Sequence, residues 1–292
     1  MTIAPFSAPT SKTFISQRLR LHYLDWGNAE APDLLLLHGG QDHAHNWDWV
    51  ARELRADWHV MAPDLRGHGD SAWSMDGAYT LAAYIYDLTQ LIRQRTRAPV
   101  TLVGHSLGGI IALRYAALYS DTVSRLVSIE GLSTMPNAPI GAPTPPIADR
   151  LRAWAENHRR LAGQQPRRYP ALADAYARMR QNNRHLSDEQ VRHLTEHAVL
   201  QNEDGSYSWK FDDYTRKAIF LEISKSEECE LHQAVTCPVL LMHGKESWLP
   251  DPNQDGTAAL FRDVRVESFE GAGHWIHHDR TDAFLTSLRR FI

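Results

Sequence analysis

The stretch Val100-Thr-Leu-Val-Gly-His-Ser-Leu-Gly-Gly-Ile-Ile-Ala-Leu-Arg114 constrains the fold of this chain more than any other. An apolar, β-branched run, Val100 to Val103, enters a glycine-flanked serine and leaves through helix-forming residues, Leu107 to Leu118. The pattern reads as strand, tight turn and helix, with Ser106 at the apex of a G-x-S-x-G sequence made by Gly104, Ser106 and Gly108. A serine there needs strained torsions, tolerable only where its neighbours lack clashing side chains. A phosphate cradle at a helix N-terminus would need a G-x-G-x-x-G or a Gly-Lys-Ser/Thr after a strand, and the chain has neither.

The same alternation continues on both sides. Phe14 to Leu24 reads as a hairpin, Leu34 to Leu37 as a strand buried on both faces that ends at His38-Gly39-Gly40, and Trp47 to Leu54 as a helix. Val60-Met61 is a short strand before the Gly-rich loop Pro63 to Ser71. Leu81, Tyr84, Ile85, Leu88, Leu91 and Ile92 mark an amphipathic helix capped by Thr80. Val123 to Ile129 is a strand ending at Glu130-Gly131. Repeated strand-helix units predict a doubly wound, mostly parallel α/β sheet with helices on both faces.

That rhythm breaks at Met135 to Pro146, where five prolines in twelve residues can only form an extended connector. Helical spacing follows at Ile147 to Leu161 and Leu172 to Met179, a capping box at Ser187-Asp-Glu-Gln190 opens a third helix, and a small hairpin spans Val199 to Trp209. A helix is also expected over Tyr214 to Ile223. The expected organisation is a core of residues 1–131 and 236–292, with 132–235 inserted as a helical cap. Pro238 to Met242 and Val264 to Phe269 restore the strand pattern, and Asp279 to Phe291 is the final helix.

Thirty-one basic against thirty-five acidic residues give no electrostatic reason to expect nucleic acid or an anionic membrane, so a small-molecule partner is expected. Composition says nothing of the oligomeric state. Cys229 and Cys237 read as two reduced thiols. With no signal-like N-terminus and no long apolar run, a soluble cytoplasmic protein is expected.

A serine hydroxyl needs a base in hydrogen-bond reach and a third group to orient that base. Of sixteen histidines, His274 stands out because it follows a strand in the Gly-rich loop Glu270 to Trp275. His277 and His278 read as solvated residues near a helix start, and His38, His68 and His105 as braces of their loops. His43-Ala-His45 could be a metal pair, but no H-E-x-x-H and no clustered third ligand accompanies it, so neither a metal nor a cofactor is expected.

Leu37-His-Gly-Gly40, Asp64-Leu-Arg-Gly-His-Gly-Asp-Ser71, Gly104-His-Ser-Leu-Gly-Gly109 and Gly271-Ala-Gly-His274, in that order, resemble the cap-bearing α/β-hydrolases of the esterase, lactonase and haloperoxidase type. The resemblance implies Ser106 as nucleophile, His274 as general base, and the backbone N–H groups of Gly40 and Leu107 as oxyanion-hole donors, with Gln41 the alternative to Gly40. It also implies an aspartate where Ser247 stands in Gly244-Lys-Glu-Ser-Trp248. A serine cannot stabilise an imidazolium by charge. Glu130 ranks first as substitute, because some members of the fold, certain haloalkane dehalogenases among them, take their acid from that strand end. Glu246 and Asp251 follow.

The expected function is therefore that of a carboxylesterase-like serine hydrolase cleaving an ester or lactone through an acyl-enzyme. Epoxide hydrolases and haloalkane dehalogenases of this fold carry aspartate at position 106 and are disfavoured. The alternatives are a carbon-carbon hydrolase of ring-cleavage products, a perhydrolase side activity on the same residues, and a ligand-binding receptor without turnover. Trp154, Tyr169, Tyr176, Met179, Tyr207 and Trp209 either line a substrate pocket or form the inserted segment's own core.

Overall fold

A computed structural model of the protein describes residues 8–216 and 223–292. In chain order, β1 (Thr10–Ser16), β2 (Leu19–Asp25), β3 (Asp33–Leu37), β4 (His59–Pro63), β5 (Val100–His105) and β6 (Val123–Ile129) come first. After an excursion, β9 (Val239–Gly244) and β10 (Val264–Phe269) complete one eight-stranded sheet, ordered β1-β2-β4-β3-β5-β6-β9-β10. The two junctions at the β1 edge are antiparallel and the other five are parallel.

The run of leucines in β3 shows why this sheet is covered on both sides. Leu35 and Leu37 join one cluster with α2 (Leu81–Arg95) and α3 (Leu107–Leu118). Leu34 and Leu36 join another with α1 (Asp48–Leu54) and α9 (Thr281–Phe291). In β9, Val239 and Leu241 face the first cluster, Leu240 and Met242 the second. Each such side chain taken from water contributes about 1.5–3 kcal/mol, and the period of two divides that gain between the faces.

The excursion between β6 and β9 holds α4 (Ile147–Ala162), α5 (Leu172–Asn182), α6 (Asp188–Ala198), the short pair β7 (Val199–Gln201) and β8 (Tyr207–Trp209), and α7 (Lys225–Ala234). The expected caps form both in the core and in the excursion: Thr80 Oγ1 accepts from Ala83 N–H at the start of α2, and Ser187 and Gln190 cap α6 reciprocally. Among the described residues, two small apolar clusters hold α5 and α6. Tyr169, Ala175 and Val199 form one; Leu186, Val191 and Leu194 form the other, packed against Trp49 and Trp275 of the core. α7, which the sequence reading counts with the inserted segment, lies against α3, with the His232 ring stacked on Phe261.

The helix expected over Tyr214 to Ile223 falls largely on 217–222, outside the described residues, and Asp213–Arg216 makes one 3₁₀ turn. The final helix is broken at Arg280 into α8 (Ile276–Asp279) and α9. Both cysteines are free and buried. Among the described residues, no helix is long and apolar enough to cross a membrane.

Candidate active site

Five parallel strands bring their carboxyl ends to one rim: Leu37 pairs with Gly104, His105 with Ile129, Ile129 with Met242, and Gly244 with Phe269. Crevices of this kind, outside the carboxyl ends of α/β strands, collect functional loops. Ser106 leaves β5 with φ +50° and ψ −116° and begins α3, a strained turn for any residue with a side chain. The turn fits because its neighbours come too close for a Cβ: one on Gly108 would lie 2.3 Å from the Leu37 carbonyl oxygen, one on Gly131 2.2 Å from that of Ser106. The loop after β3 is adjacent, since a methyl group on Gly39 would sit 3.3 Å from the Ser106 Cβ. Gly40 and Gln41 follow, Gln41 with φ +61°, and Leu107 is the first residue of α3.

Glu130 is strained as well, at φ +52°. Its side chain is 1% exposed. Oε1 accepts from the Gly244 N–H at 2.6 Å and lies 3.0 Å from His243 Nδ1; Oε2 accepts from the Ser247 hydroxyl and lies 3.5 Å from His274 Nδ1. At that distance the His274 nitrogen is beside the carboxylate without an aligned hydrogen bond. Charge-assisted donors of this kind offset the desolvation a buried carboxylate would otherwise suffer. Glu246 is exposed, and the Asp251 carboxylate accepts from Asn253 N–H within its own loop. Glu130 is thus the acid brought to His274. Ser247, at the position where the resemblance implies an acid, donates instead to the Glu130 carboxylate, a contact the sequence reading missed.

His274 follows β10, and its carbonyl accepts from His105 Nε2 at 2.9 Å, which ties the loop to the residue before Ser106. Burial, then the neighbouring His274, hold the His105 ring well below the usual histidine range, so it is a neutral brace. His38 is similar: Nδ1 donates to Gly39 O, Nε2 accepts from Leu65 N–H, and burial pushes its pKa down to about 3. His68 Nδ1 donates to Arg66 O. Asp64 gathers the surrounding loops, accepting from His22 Nδ1 at 2.7 Å and from the N–H groups of Ala44 and Asp70. One expectation is corrected: His277 and His278 are buried, His277 stacked on Trp47 and donating to Asn46 Oδ1 at 2.7 Å. Helix-start position alone does not reveal that α1 and the excursion cover them.

A cavity of about 410 Å³ opens beside the rim, bounded below by Gly40, Gln41, Asp42 and Trp275. Ser106 and His274 lie outside its wall. The excursion closes it with Tyr169, Met179, Leu194, Trp209 and Phe211, and with Gln164, Arg167, Arg178 and Asn182. Of the candidate pocket residues, Tyr169, Met179 and Trp209 reach the cavity while also packing in the segment's clusters; Tyr176 and Tyr207 pack in those clusters, and Trp154 is 40% exposed.

The reading that His45 lacks further ligands nearby is also corrected. Asp48, His193 and His197 bring donor atoms within 4.8 Å of one another and of His45. Sequence proximity could not show this, because His193 lies 148 residues beyond His45.

A strained serine turn at the carboxyl rim of a parallel sheet, with a buried carboxylate beside a histidine on a neighbouring loop of the same rim, is the arrangement of a class of α/β hydrolytic folds. The chain belongs to the alpha/beta hydrolase fold family, which it matches over residues 32–281. It is 25% identical to an sn-1-specific diacylglycerol lipase of Mus musculus over 91% of this chain and 82% of that protein. An esterase of Mycobacterium tuberculosis is 28% identical over 91% of this chain and 84% of the other. Among solved structures, a thioesterase domain from the curacin biosynthetic pathway superposes with a TM-score of 0.82 at 24% identity, covering 97% of this chain and all of that one.

Proposed function

We propose that the protein is a serine hydrolase that cleaves a carboxylic ester or lactone through an acyl-enzyme on Ser106. The single observation that carries this reading is the buried Glu130 carboxylate, held by Gly244 N–H and the Ser247 hydroxyl, with Oε2 3.5 Å from His274 Nδ1. A carboxylate so fixed orients the imidazole, leaving Nε2 to act on the serine proton. Ser106 attacks the carbonyl carbon, His274 takes its proton and returns it to the leaving alkoxide, and water enters by the reverse sequence. The N–H groups of Leu107 and Gly40 hold the oxyanion, and losing one such donor typically costs about 10²–10³ in rate. Esterase and diacylglycerol lipase relatives support ester chemistry.

The segment between β6 and α7 serves as a cap that selects substrate. The cavity's mixture of Arg167, Arg178, Gln164 and Asn182 with a few aromatic rings suits a compact ester carrying polar groups better than a long acyl chain. Labelling with a fluorophosphonate tests the mechanism: one adduct on Ser106, with loss of esterase activity, is expected. A folded protein that turns over esters yet stays unlabelled at Ser106 would overturn it.

A further inference from the structure

A second constellation lies where the excursion meets the core. His45 sits in the 3₁₀ turn Ala44–Trp47, Asp48 opens α1, and His193 and His197 stand one turn apart on α6. Asp48 Oδ2 is 2.9 Å from His45 Nδ1 and 3.1 Å from His193 Nε2. The His45 and His197 rings stack at 3.6 Å, and the His193 ring is 4.7 Å from that of His197. One donor atom from each of the four residues lies within 4.8 Å of the others. The Asp48 side chain is 4% exposed, and its Oδ1 has no hydrogen-bond partner among the described residues. A buried carboxylate oxygen left so is costly unless something binds it.

We propose that His45, Asp48, His193 and His197 bind one divalent transition-metal ion of the zinc class. Three imidazoles and a carboxylate suit zinc and its neighbours, whereas magnesium and calcium prefer all-oxygen sets. Tetrahedral zinc with ligands at about 2.0–2.1 Å needs donors about 3.3 Å apart, so the set closes by roughly 1–1.5 Å at most. Four protein ligands leave no open position, which makes the ion structural. It binds apart from Ser106 and cross-links α6 to the turn that precedes α1.

Its effect reaches the cavity through α6. Leu194 and Ala198 of that helix form part of the cavity wall, and the Leu194 carbonyl accepts from His43 Nε2 at 3.0 Å. An ion clamping His193 and His197 therefore fixes the wall between them.

The test uses the tag-free full chain, stripped with a chelator and titrated with Co²⁺, then with Zn²⁺. Saturation at one Co²⁺ per chain is expected, with visible ligand-field bands of tetrahedral intensity that Zn²⁺ abolishes. The double variant His193→Gln/His197→Gln should bind at least ~100-fold more weakly, since losing even an outer-shell partner costs 10–100-fold. Asp48→Asn provides a second variant, with circular dichroism checking the fold of each. Absence of one-to-one saturation, or unchanged affinity in a folded variant, would mean adventitious binding at other histidines and overturn the proposal.

Discussion

The sheet rim and the excursion above it are built differently. At the rim, Ser106 and Glu130 occupy strained torsions that two large buried clusters and close glycine contacts keep in place. In the excursion, among the described residues, two clusters of three buried residues each hold α5 and α6, and on α4 Ile147, Leu151 and Trp154 remain exposed. Reacting groups need fixed geometry, which a doubly covered sheet supplies; a cavity wall needs only to fit a ligand and tolerates looser packing. Chemistry should therefore be sensitive to rim substitutions and specificity to excursion substitutions.

Ser106→Ala tests the rim at its strongest, with turnover expected to fall about 10⁴–10⁶-fold at unchanged melting temperature. Retained activity would move the chemistry elsewhere. The acid can next be relocated: Glu130→Ser should be nearly inactive, and the added Ser247→Asp should recover about 10–100-fold in kcat. No recovery would argue that the site is built for a carboxylate on β6 alone. In the excursion, Trp209→Ala removes a cavity-lining ring whose Nε1 donates to the Tyr169 hydroxyl at 2.9 Å. KM should rise by about tenfold with kcat nearly constant, whereas a fall in kcat alone would break the contrast.

The smallest effect is on pH-dependent stability. Burial lowers His38 to about 3 and holds His105 and His277 well below the usual range. As pH falls through the unfolded histidine value of about 6.5, the unfolded chain takes protons that the folded chain refuses, so stability drops from there toward pH 3. Asp42, raised to about 7 by burial, works oppositely and regains some stability over pH 7 to 4. Three histidines outweigh one carboxyl, so the melting temperature should fall by several degrees between pH 7 and 5. A constant melting temperature would contradict the neutral-brace reading.

Much of the rim was legible because local rules dictate it. G-x-S-x-G marks the turn, the β3 leucines mark a strand buried on both faces, and Gly271-Ala-Gly-His274 marks a loop at a strand end. The choice of Glu130 over Glu246 and Asp251 rested on its place at the end of β6, and geometry brings it to His274. What the sequence hid is long-range. Ser247 donating to Glu130, the burial of His277 beneath Asn46 and Trp47, and the meeting of His45 with His193 and His197 all depend on how α1, α6 and the loops dock. A solvated and a buried histidine look alike when the covering element lies more than a hundred residues away.

The central claim is that Glu130 serves Ser106 through His274, and its most direct test is kcat on a nitrophenyl ester for Glu130→Gln, with Glu246→Gln and Asp251→Asn in parallel. Losing the charge while keeping the shape should cost about 10⁴-fold, as expected for the acid of such a triad, with the other two variants within a few-fold of wild type. Near-normal turnover in folded Glu130→Gln, with collapse in either of the others, would contradict the account.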